Sequence, residues 1–144
     1  MEVKFYNEVD DDLLRFAVII AKYNGKLVFC KHKERDTYEI PGGHREKEET
    51  IEETARRELF EETGATGFVL KPICIYSVIG KNRVNESGKE TFGMLFFAEI
   101  ETFEHELHSE IESIKLFDEI PDKLTYPDIQ PILINEFVRR KNGI

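Results

Sequence analysis

The chain of 144 residues has no tryptophan, only two cysteines and no long apolar run. Cys30 and Cys74 lie in apolar, strand-like segments with no second Cys or His at metal-ligand spacing, so we expect buried free thiols rather than a zinc site or a disulfide. The longest apolar run, residues 16–21, is far too short to span a bilayer, and no basic-then-apolar leader precedes it. We therefore expect a cytoplasmic protein that does not bind membranes.

Basic side chains are also scarce. The 20 Lys and Arg residues are outnumbered by 29 Asp and Glu residues, which gives a formal net charge of −9. Because nucleic-acid backbones are held by clustered Lys and Arg, this balance argues against a stable nucleic-acid complex. A small phosphorylated substrate remains compatible with the charge if a divalent cation stands between protein and phosphate.

The pattern of strands and turns predicts one α+β domain over residues 1–144, without repeats or linkers. Residues 13–33 form two β runs joined by Asn24-Gly25, a strong hairpin signal. The first dozen residues, which end in three aspartates, are expected to be partly frayed. Further predicted strands are a short one ended by Pro41, two long ones at residues 71–80 and 91–101, and one at residues 111–117.

Two helices are predicted. Thr50 and Glu53 fit a capping box, so the first helix should begin near Ile51 and end at Gly64, where a positive φ costs nothing. The second covers residues 129–141, whose apolar positions have helical spacing and whose Pro131 is tolerated in the first turn.

Three glutamates crowd the end of the first helix, in the segment "RRELFEETG". With about 100° per residue, Glu58 and Glu62 fall about 20° to either side of the apolar Ile51, and Glu61 borders the same stripe. A solvated, salt-bridged helix is the alternative interpretation, but it would place these acids opposite Ile51. Carboxylates at the edge of a core are costly unless they are paired or bind a metal.

A metal ion would offset this cost. Arg57 can reach Glu53 or Glu61 one turn away, but it cannot neutralise three acids. Mg²⁺ prefers oxygen ligands and commonly shares a few carboxylates with substrate phosphates. A bend at Gly42-Gly43, just ahead of the helix, could add a main-chain carbonyl to the same site, although a Pro-Gly-Gly sequence is often only a turn.

Residues 43–65, "GHREKEETIEETARRELFEETGA", resemble the Nudix box, Gx5Ex7REUxEExGU with U apolar. Ala65 is smaller than the usual residue at the last position but is still apolar. The preceding "YEIPGG" is also similar to MutT-like Nudix proteins. The identities in register are Gly43, Glu49, Arg57, Glu58, Leu59, Glu61, Glu62 and Gly64.

The resemblance implies an α/β/α sandwich with a mixed sheet and a loop–helix–loop motif, and hydrolysis of a diphosphate bond in a nucleotide. It implies catalytic roles for Arg57, Glu58 and Glu61, and Mg²⁺ or Mn²⁺ as cofactor. Its implied metal ligands are Glu58, Glu61, Glu62 and the Gly42 carbonyl. Its implied structural residues are Gly43, Gly64 and Glu49, the last paired with Arg57.

The general base stays open between Glu58 and an acid on a later loop. MutT-like relatives also use a downstream glutamate as a metal ligand, for which Glu110 is the candidate and Glu104, Glu106 and Glu112 are rivals.

Substrate contacts are proposed for His44, Arg83, Tyr126 and Asp128. MutT-like enzymes often place an Asn near the start of the C-terminal helix to read the base, and residues 124–131 contain none. Asp128 could take that role and Tyr126 could stack on a base, but a helix-capping turn explains both and is favoured. The side chains of His32, Lys81 and Lys89 could contact phosphate or only be solvated.

The leading functional hypothesis is a metal-dependent nucleoside triphosphate pyrophosphohydrolase, possibly acting on 8-oxo-dGTP. Hydrolysis of ADP-ribose or a dinucleotide, and removal of diphosphate from RNA 5′ ends, are alternative activities. A nucleotide-binding domain without turnover is a further alternative, disfavoured because every glutamate of the box is present. The sequence does not decide between a monomer and a homodimer.

Overall fold

Seven strands form one mixed sheet in the computed structural model, which describes residues 1–82, 85–104 and 111–142. Two α-helices and a short 3₁₀ helix, Asp11–Leu13, complete the described chain. The strands are β1 Glu2–Tyr6, β2 Leu14–Tyr23, β3 Lys26–His32, β4 Gly42–His44, β5 Ala65–Ile79, β6 Thr91–Phe103 and β7 Ile111–Phe117. The helices are α1 Ile51–Thr63 and α2 Gln130–Asn142.

The sheet order is β1-β5-β6-β2-β3-β7, with β4 paired separately to β2. Strands β2 and β6 are parallel, and the other pairs are antiparallel. Strand β3 pairs with β2 only next to their shared turn, at Lys22 and Tyr23, and then diverges. Strand β4 takes the vacated edge of β2 opposite Phe16 to Val18, which places its glycines at the centre of the sheet.

Side chains that alternate along β2 fill two separate cores, one on each face of the sheet. Ala17 and Ile19 pack in the cluster that contains Ala55 and Leu59 of α1. Ile20 packs in the other cluster, which contains Leu133 and Phe137 of α2. Because successive strand residues face opposite sides, one strand serves both layers. The predicted α/β/α sandwich is confirmed.

Local signals predicted several elements well. The hairpin turns at Asn24 and Gly25 with φ of 50° and 79°, and β7 has the predicted bounds. Thr50 caps α1 and exchanges hydrogen bonds with Glu53, while Gly64 ends the helix at φ 77°. No helix in the described ranges is long and apolar enough for a membrane crossing.

The expectation of a frayed N-terminus was wrong. Residues 2–6 form β1 and pair with the far end of β5, from Glu2 opposite Ile79 to Tyr6 opposite Ile75. The Glu90 carboxylate accepts hydrogen bonds at 2.6 Å from both Tyr6 and Ser77, which ties β1 to β5 and to the residue just before β6. Glu90 is 84 residues from Tyr6 in the sequence, so no local pattern predicts this contact.

The predicted strand before Pro41 was also wrong. Tyr38 and Glu39 make only isolated bridges, to Leu124 and Cys30, and the strand begins after the proline, at Gly42. Strand β5 begins at Ala65, immediately after α1 and six residues earlier than predicted. Its first half pairs with β6 through several register shifts around Gly67.

Thr50→Ala should lower the free energy of unfolding by about 1 kcal/mol, because the first turn of α1 loses its side-chain acceptor. Thr50→Ser keeps the hydroxyl and should stay close to the wild type. Urea denaturation of the three proteins measures the difference. An unchanged Thr50→Ala, or an equal loss in Thr50→Ser, would contradict the capping role.

Candidate active site

Helix α1 carries its glutamates to the edge of the core. Ala55 and Leu59 are completely buried, and Glu62 is only 8 % exposed. The side chain of Glu58 is 13 % exposed and that of Glu61 is 40 % exposed. This order of burial agrees with the helical wheel, and it contradicts the interpretation of α1 as a helix whose glutamates all face solvent.

The position of Glu61 and Glu62 in the last turn of α1 adds a second cost. The carbonyl end of a helix has a partial negative charge and is stabilised by basic residues, and the last turn of α1 has none. The acids therefore repel one another and oppose the helix dipole. Each needs a compensating partner from elsewhere in the fold.

Arg57 provides part of this compensation. Its Nε and Nη2 donate to the two oxygens of Glu49 at 2.7 and 3.0 Å, and Nη2 also donates to the His44 carbonyl at 3.0 Å. Its Nη1 donates to Glu58 at 2.5 Å and to Glu61 at 3.4 Å. The guanidinium lowers the pKa of Glu49 to about 2, so the loop before α1 is held to the helix by a fully ionised pair.

Glu62 takes its partners from two strands. The main-chain N–H of Gly42 donates to its Oε1 at 2.7 Å, and His32 Nε2 lies 3.5 Å from its Oε2. The glutamate at the end of α1 thereby links β4 to the far end of β3.

The ladder between β2 and β4 determines where the Gly42 carbonyl points. The N–H of Arg45 donates to the Arg15 carbonyl, and the N–H of Ile19 donates to the Pro41 carbonyl. Hydrogen-bonded pairs of an antiparallel ladder alternate, so these bonds fall at odd-numbered positions. The main-chain groups of Gly42 therefore turn away from β2 and toward the glutamates of α1, as its bond to Glu62 also requires.

The absence of a side chain at Gly43 makes room for the carboxylate of Glu58. A Cβ on Gly43 would overlap the Glu58 carboxylate. The glycine therefore lets the carboxylate lie directly against the main chain of β4.

The surrounding structure does not fully neutralise the carboxylates. Burial, followed by the negative charge of Glu62, raises the pKa of Glu58 to about 7, despite the bond from Arg57. Burial also raises the pKa of Glu62, although His32 and the Gly42 N–H counteract it. The cluster therefore has more negative charge than its protein partners compensate.

This excess of carboxylate oxygen fits a hard divalent cation in its chemistry. In the conformation described for residues 1–82, 85–104 and 111–142, no three His, Cys, Asp or Glu side chains are already arranged around a metal position. Glu58 and Glu61 are instead turned to Arg57, and Glu62 to Gly42 and His32. Binding a cation would require Glu58 and Glu61 to exchange Arg57 for the metal.

A second charged group lies beside Glu62. Glu39 is 7 % exposed; Arg35 donates to it at 2.7 Å, and His32 lies 3.6 Å away. The hydrogen bond to Glu62 raises the pKa of His32. The His44 ring, in contrast, packs at a tilt against Phe16 with ring centroids 4.5 Å apart, and its partial burial lowers the pKa of His44.

A single pocket connects these charges to the opposite face of the sheet. At one end it is lined by His32, Gly42, Gly43 and Glu62, and at the other by side chains of β2, β5 and α2. The second end is mostly apolar and includes Val18, Val78, Ile129 and Leu133.

The structure brings some of the predicted substrate residues to this pocket. His44 and Tyr126 line it, whereas Asp128 is exposed and is not among the lining residues. The Tyr126 carbonyl accepts hydrogen bonds from the N–H groups of Ile129 and Gln130, so main-chain bonds close the turn before α2.

Three predicted positions, Arg83, Glu106 and Glu110, lie outside the described residues. Glu104 is exposed at the end of β6, and Glu112 lies in β7, of which only the backbone is described at that position.

Sequence reasoning missed Glu39, Tyr76 and Gln130 as pocket residues. Glu39 and Tyr76 lie inside apolar, strand-like runs that indicated core. Gln130 lies at the start of α2, where only an Asn was sought. At all three positions, a polar residue among apolar neighbours could have indicated a buried functional group.

Comparisons with known proteins agree with this geometry. The profile of the family described as "NUDIX domain" matches residues 13–133. The chain is 33 % identical over 126 residues to "Putative 8-oxo-dGTP diphosphatase YtkD" of Bacillus subtilis (strain 168), which covers 87 % of this chain and 75 % of that protein.

Solved structures are similar as well. A mutant of the Bacillus subtilis pyrophosphohydrolase BsRppH superposes with a TM-score of 0.77 and 29 % identity, covering 96 % of this chain and 90 % of the other. The NUDIX domain of Shewanella oneidensis NrtR, complexed with ADP ribose, has a TM-score of 0.67 at 13 % identity and covers 88 % and 87 % of the two chains. The second likeness concerns the fold alone.

The raised pKa of Glu58 predicts a pH dependence of stability in the metal-free protein. Between its ordinary pKa of 4.5 and about 7, the folded protein keeps a proton on Glu58 that the unfolded chain loses, so stability falls as pH rises through this range. The raised pKa of His32 acts in the same direction, since its contribution is present at low pH and lost as pH rises.

Glu58→Gln should remove Glu58's part of this slope, up to about 3 kcal/mol between pH 5 and pH 8. Urea denaturation in EDTA at both pH values measures it. Glu52→Gln, an exposed acid on the same helix, is the matched control and should follow the wild type. If Glu58→Gln kept the wild-type slope, Glu58 would not titrate in this range.

Proposed function

Because this chain belongs to the NUDIX family and is a pyrophosphohydrolase, we propose that its substrate is a nucleoside triphosphate. The products are a nucleoside monophosphate and pyrophosphate, and a divalent cation, Mg²⁺ or Mn²⁺, is required. The observation that carries this proposal is the pocket with two chemically different ends. One end holds the glutamates and suits a metal-bound polyphosphate, while the other is apolar and suits a base.

Glu58, Glu61, Glu62 and the Gly42 carbonyl would hold the cation. When bound, it supplies positive charge to the diphosphate oxygens and lowers the pKa of the attacking water. Gly43 keeps room for the Glu58 carboxylate, and the Glu49–Arg57 pair fixes the loop on which β4 and α1 meet. Arg57, released from Glu58 and Glu61, would keep its bonds to Glu49 and the His44 carbonyl.

Glu58 is the proposed general base. Its carboxylate lies against the main chain of β4 at the proposed cation site, where it can take a proton from the attacking water. The water oxygen forms a bond to phosphorus, the bridging phosphoanhydride bond breaks, and the bridging oxygen leaves with the other product. An acid between β6 and β7 in the sequence, with Glu110 as the candidate, is the alternative base or an additional metal ligand.

The preferred substrate is proposed to be 8-oxo-dGTP or a related purine nucleotide. The name of the B. subtilis relative supports this choice, at 33 % identity over most of both chains. His44 and Tyr126 line the pocket and are proposed to contact the nucleotide, whereas the position of Asp128 favours a structural role in the turn before α2.

Product analysis with Mg²⁺ should separate the candidate activities. We expect monophosphate and pyrophosphate from a nucleoside triphosphate, at higher kcat/KM than hydrolysis of ADP-ribose or triphosphorylated RNA at equal concentration. The panel contains 8-oxo-dGTP and the standard nucleoside triphosphates. Turnover of ADP-ribose or RNA alone would reject the triphosphate proposal, and no turnover of any compound would favour a binding domain.

Glu61→Gln should reduce kcat/KM by about 100-fold or more, because it removes a proposed ligand charge at the most exposed of the three glutamates. Its melting temperature in EDTA should remain close to that of the wild type. Glu52→Gln changes the same charge on the same helix away from the site and should keep full activity. A Glu61→Gln enzyme with most of its activity would refute the metal assignment.

A further inference from the structure

Two buried side chains present unpaired polar atoms to the apolar end of the pocket. Tyr76 and Gln130 are 5 % and 6 % exposed, and both line the pocket. Among the described residues, the Tyr76 hydroxyl and the Gln130 amide nitrogen have no hydrogen-bond partner. Every described side-chain polar atom sealed from solvent does have one, so these two atoms keep some accessible surface, and the pocket is the space that both residues line. The Tyr76 hydroxyl and the Gln130 amide nitrogen can therefore form hydrogen bonds with a ligand in the pocket.

The orientation of the Gln130 amide follows from its other bond. The main-chain N–H of Ile40 lies 2.9 Å from Gln130 Oε1. Because a main-chain N–H can only donate, the atom that faces it must be the amide oxygen, and the NH₂ group is left for the pocket. Gln130 therefore turns its hydrogen-bond donors toward the pocket, while its oxygen faces the main chain of Ile40.

The orientation of the Tyr76 ring follows from its cross-strand neighbour. Tyr76 of β5 pairs with Gly93 of β6, and a Cβ on Gly93 would come within 2.7 Å of the Tyr76 hydroxyl. The absent side chain at Gly93 leaves the space in which the ring lies across β6. Burial raises the pKa of the Tyr76 hydroxyl, so it stays protonated and can donate.

We propose that the Gln130 amide and the Tyr76 hydroxyl together bind a carbonyl oxygen on the edge of the substrate's base. The enzyme would then select 6-oxopurines, such as guanine and hypoxanthine, over 6-aminopurines. An amino group at this position could donate to the Tyr76 hydroxyl, but it would face the NH₂ group of Gln130 and leave that buried donor unpaired, which a site built for a hydrogen bond discriminates against strongly. This inference deepens the proposed function and rests on it.

ITP and ATP are the matched probes, because both are purine triphosphates and ITP carries a 6-oxo group where ATP carries a 6-amino group. The wild type should hydrolyse ITP with a kcat/KM on the order of 10-fold to 100-fold above that for ATP. Tyr76→Phe removes one hydroxyl and little volume, and should lower this ratio at least severalfold.

Gln130→Glu tests the amide directly. One carboxylate oxygen can still accept from Ile40, while the other turns an acceptor toward the pocket, so the preference should fall further or reverse toward ATP. Tyr23→Phe is the control: this ring packs against Phe103 in the other core and should leave the ratio unchanged. Melting temperatures identify any variant that has lost its fold, and a folded Gln130→Glu that keeps the wild-type preference would overturn the inference.

Calorimetric binding of IMP and AMP without added metal gives a second reading that does not depend on turnover. The wild type should bind IMP more tightly, and the two variants should lose that preference. Equal binding and equal turnover in the wild type would overturn the inference, as would a preference that survives both variants. If neither triphosphate is hydrolysed but IMP is still selected, the proposed function fails and the base-reading pair stands.

Discussion

The accumulation of carboxylates at the carbonyl end of α1 is the constraint around which the rest of the structure is arranged. Glu58, Glu61 and Glu62 repel one another, and the helix dipole adds to the cost. Arg57 and the Gly42 N–H offset only part of it, since the pKa of Glu58 remains near 7. The remaining repulsion between the carboxylates destabilises the metal-free fold, and a divalent cation bound between them would reduce it.

The sheet provides the geometry that this cluster needs. Because β3 leaves β2 directly after the hairpin turn, β4 can pair with the centre of β2 and bring two glycines against α1. Gly42 offers its main-chain groups to the helix, and Gly43 offers the space of its missing side chain. The pocket extends from the glutamates to α2 and is lined by Gly42 and Gly43, so β4 borders both the carboxylate cluster and the pocket.

The sequence predicted what is encoded locally. The cap at Thr50, the turn at Gly64 and the spacing of the glutamates lie within fifteen residues and needed no tertiary information. The N-terminal strand pairs with β5, and the pocket brings Tyr76 together with Gln130, in each case across a long separation in sequence. The roles of these residues depend on which side chains lie beside them in the folded protein. A short stretch of sequence does not contain that information.

Diffraction from crystals soaked in Mn²⁺, collected at the manganese absorption edge, would test the central claim most directly. The account predicts an anomalous peak within coordination distance of the carboxylates of Glu58, Glu61 and Glu62 and of the Gly42 carbonyl. It also predicts that Arg57 no longer contacts Glu58 while keeping its pair with Glu49. A peak elsewhere, or no peak with Arg57 still bound to Glu58, would contradict it.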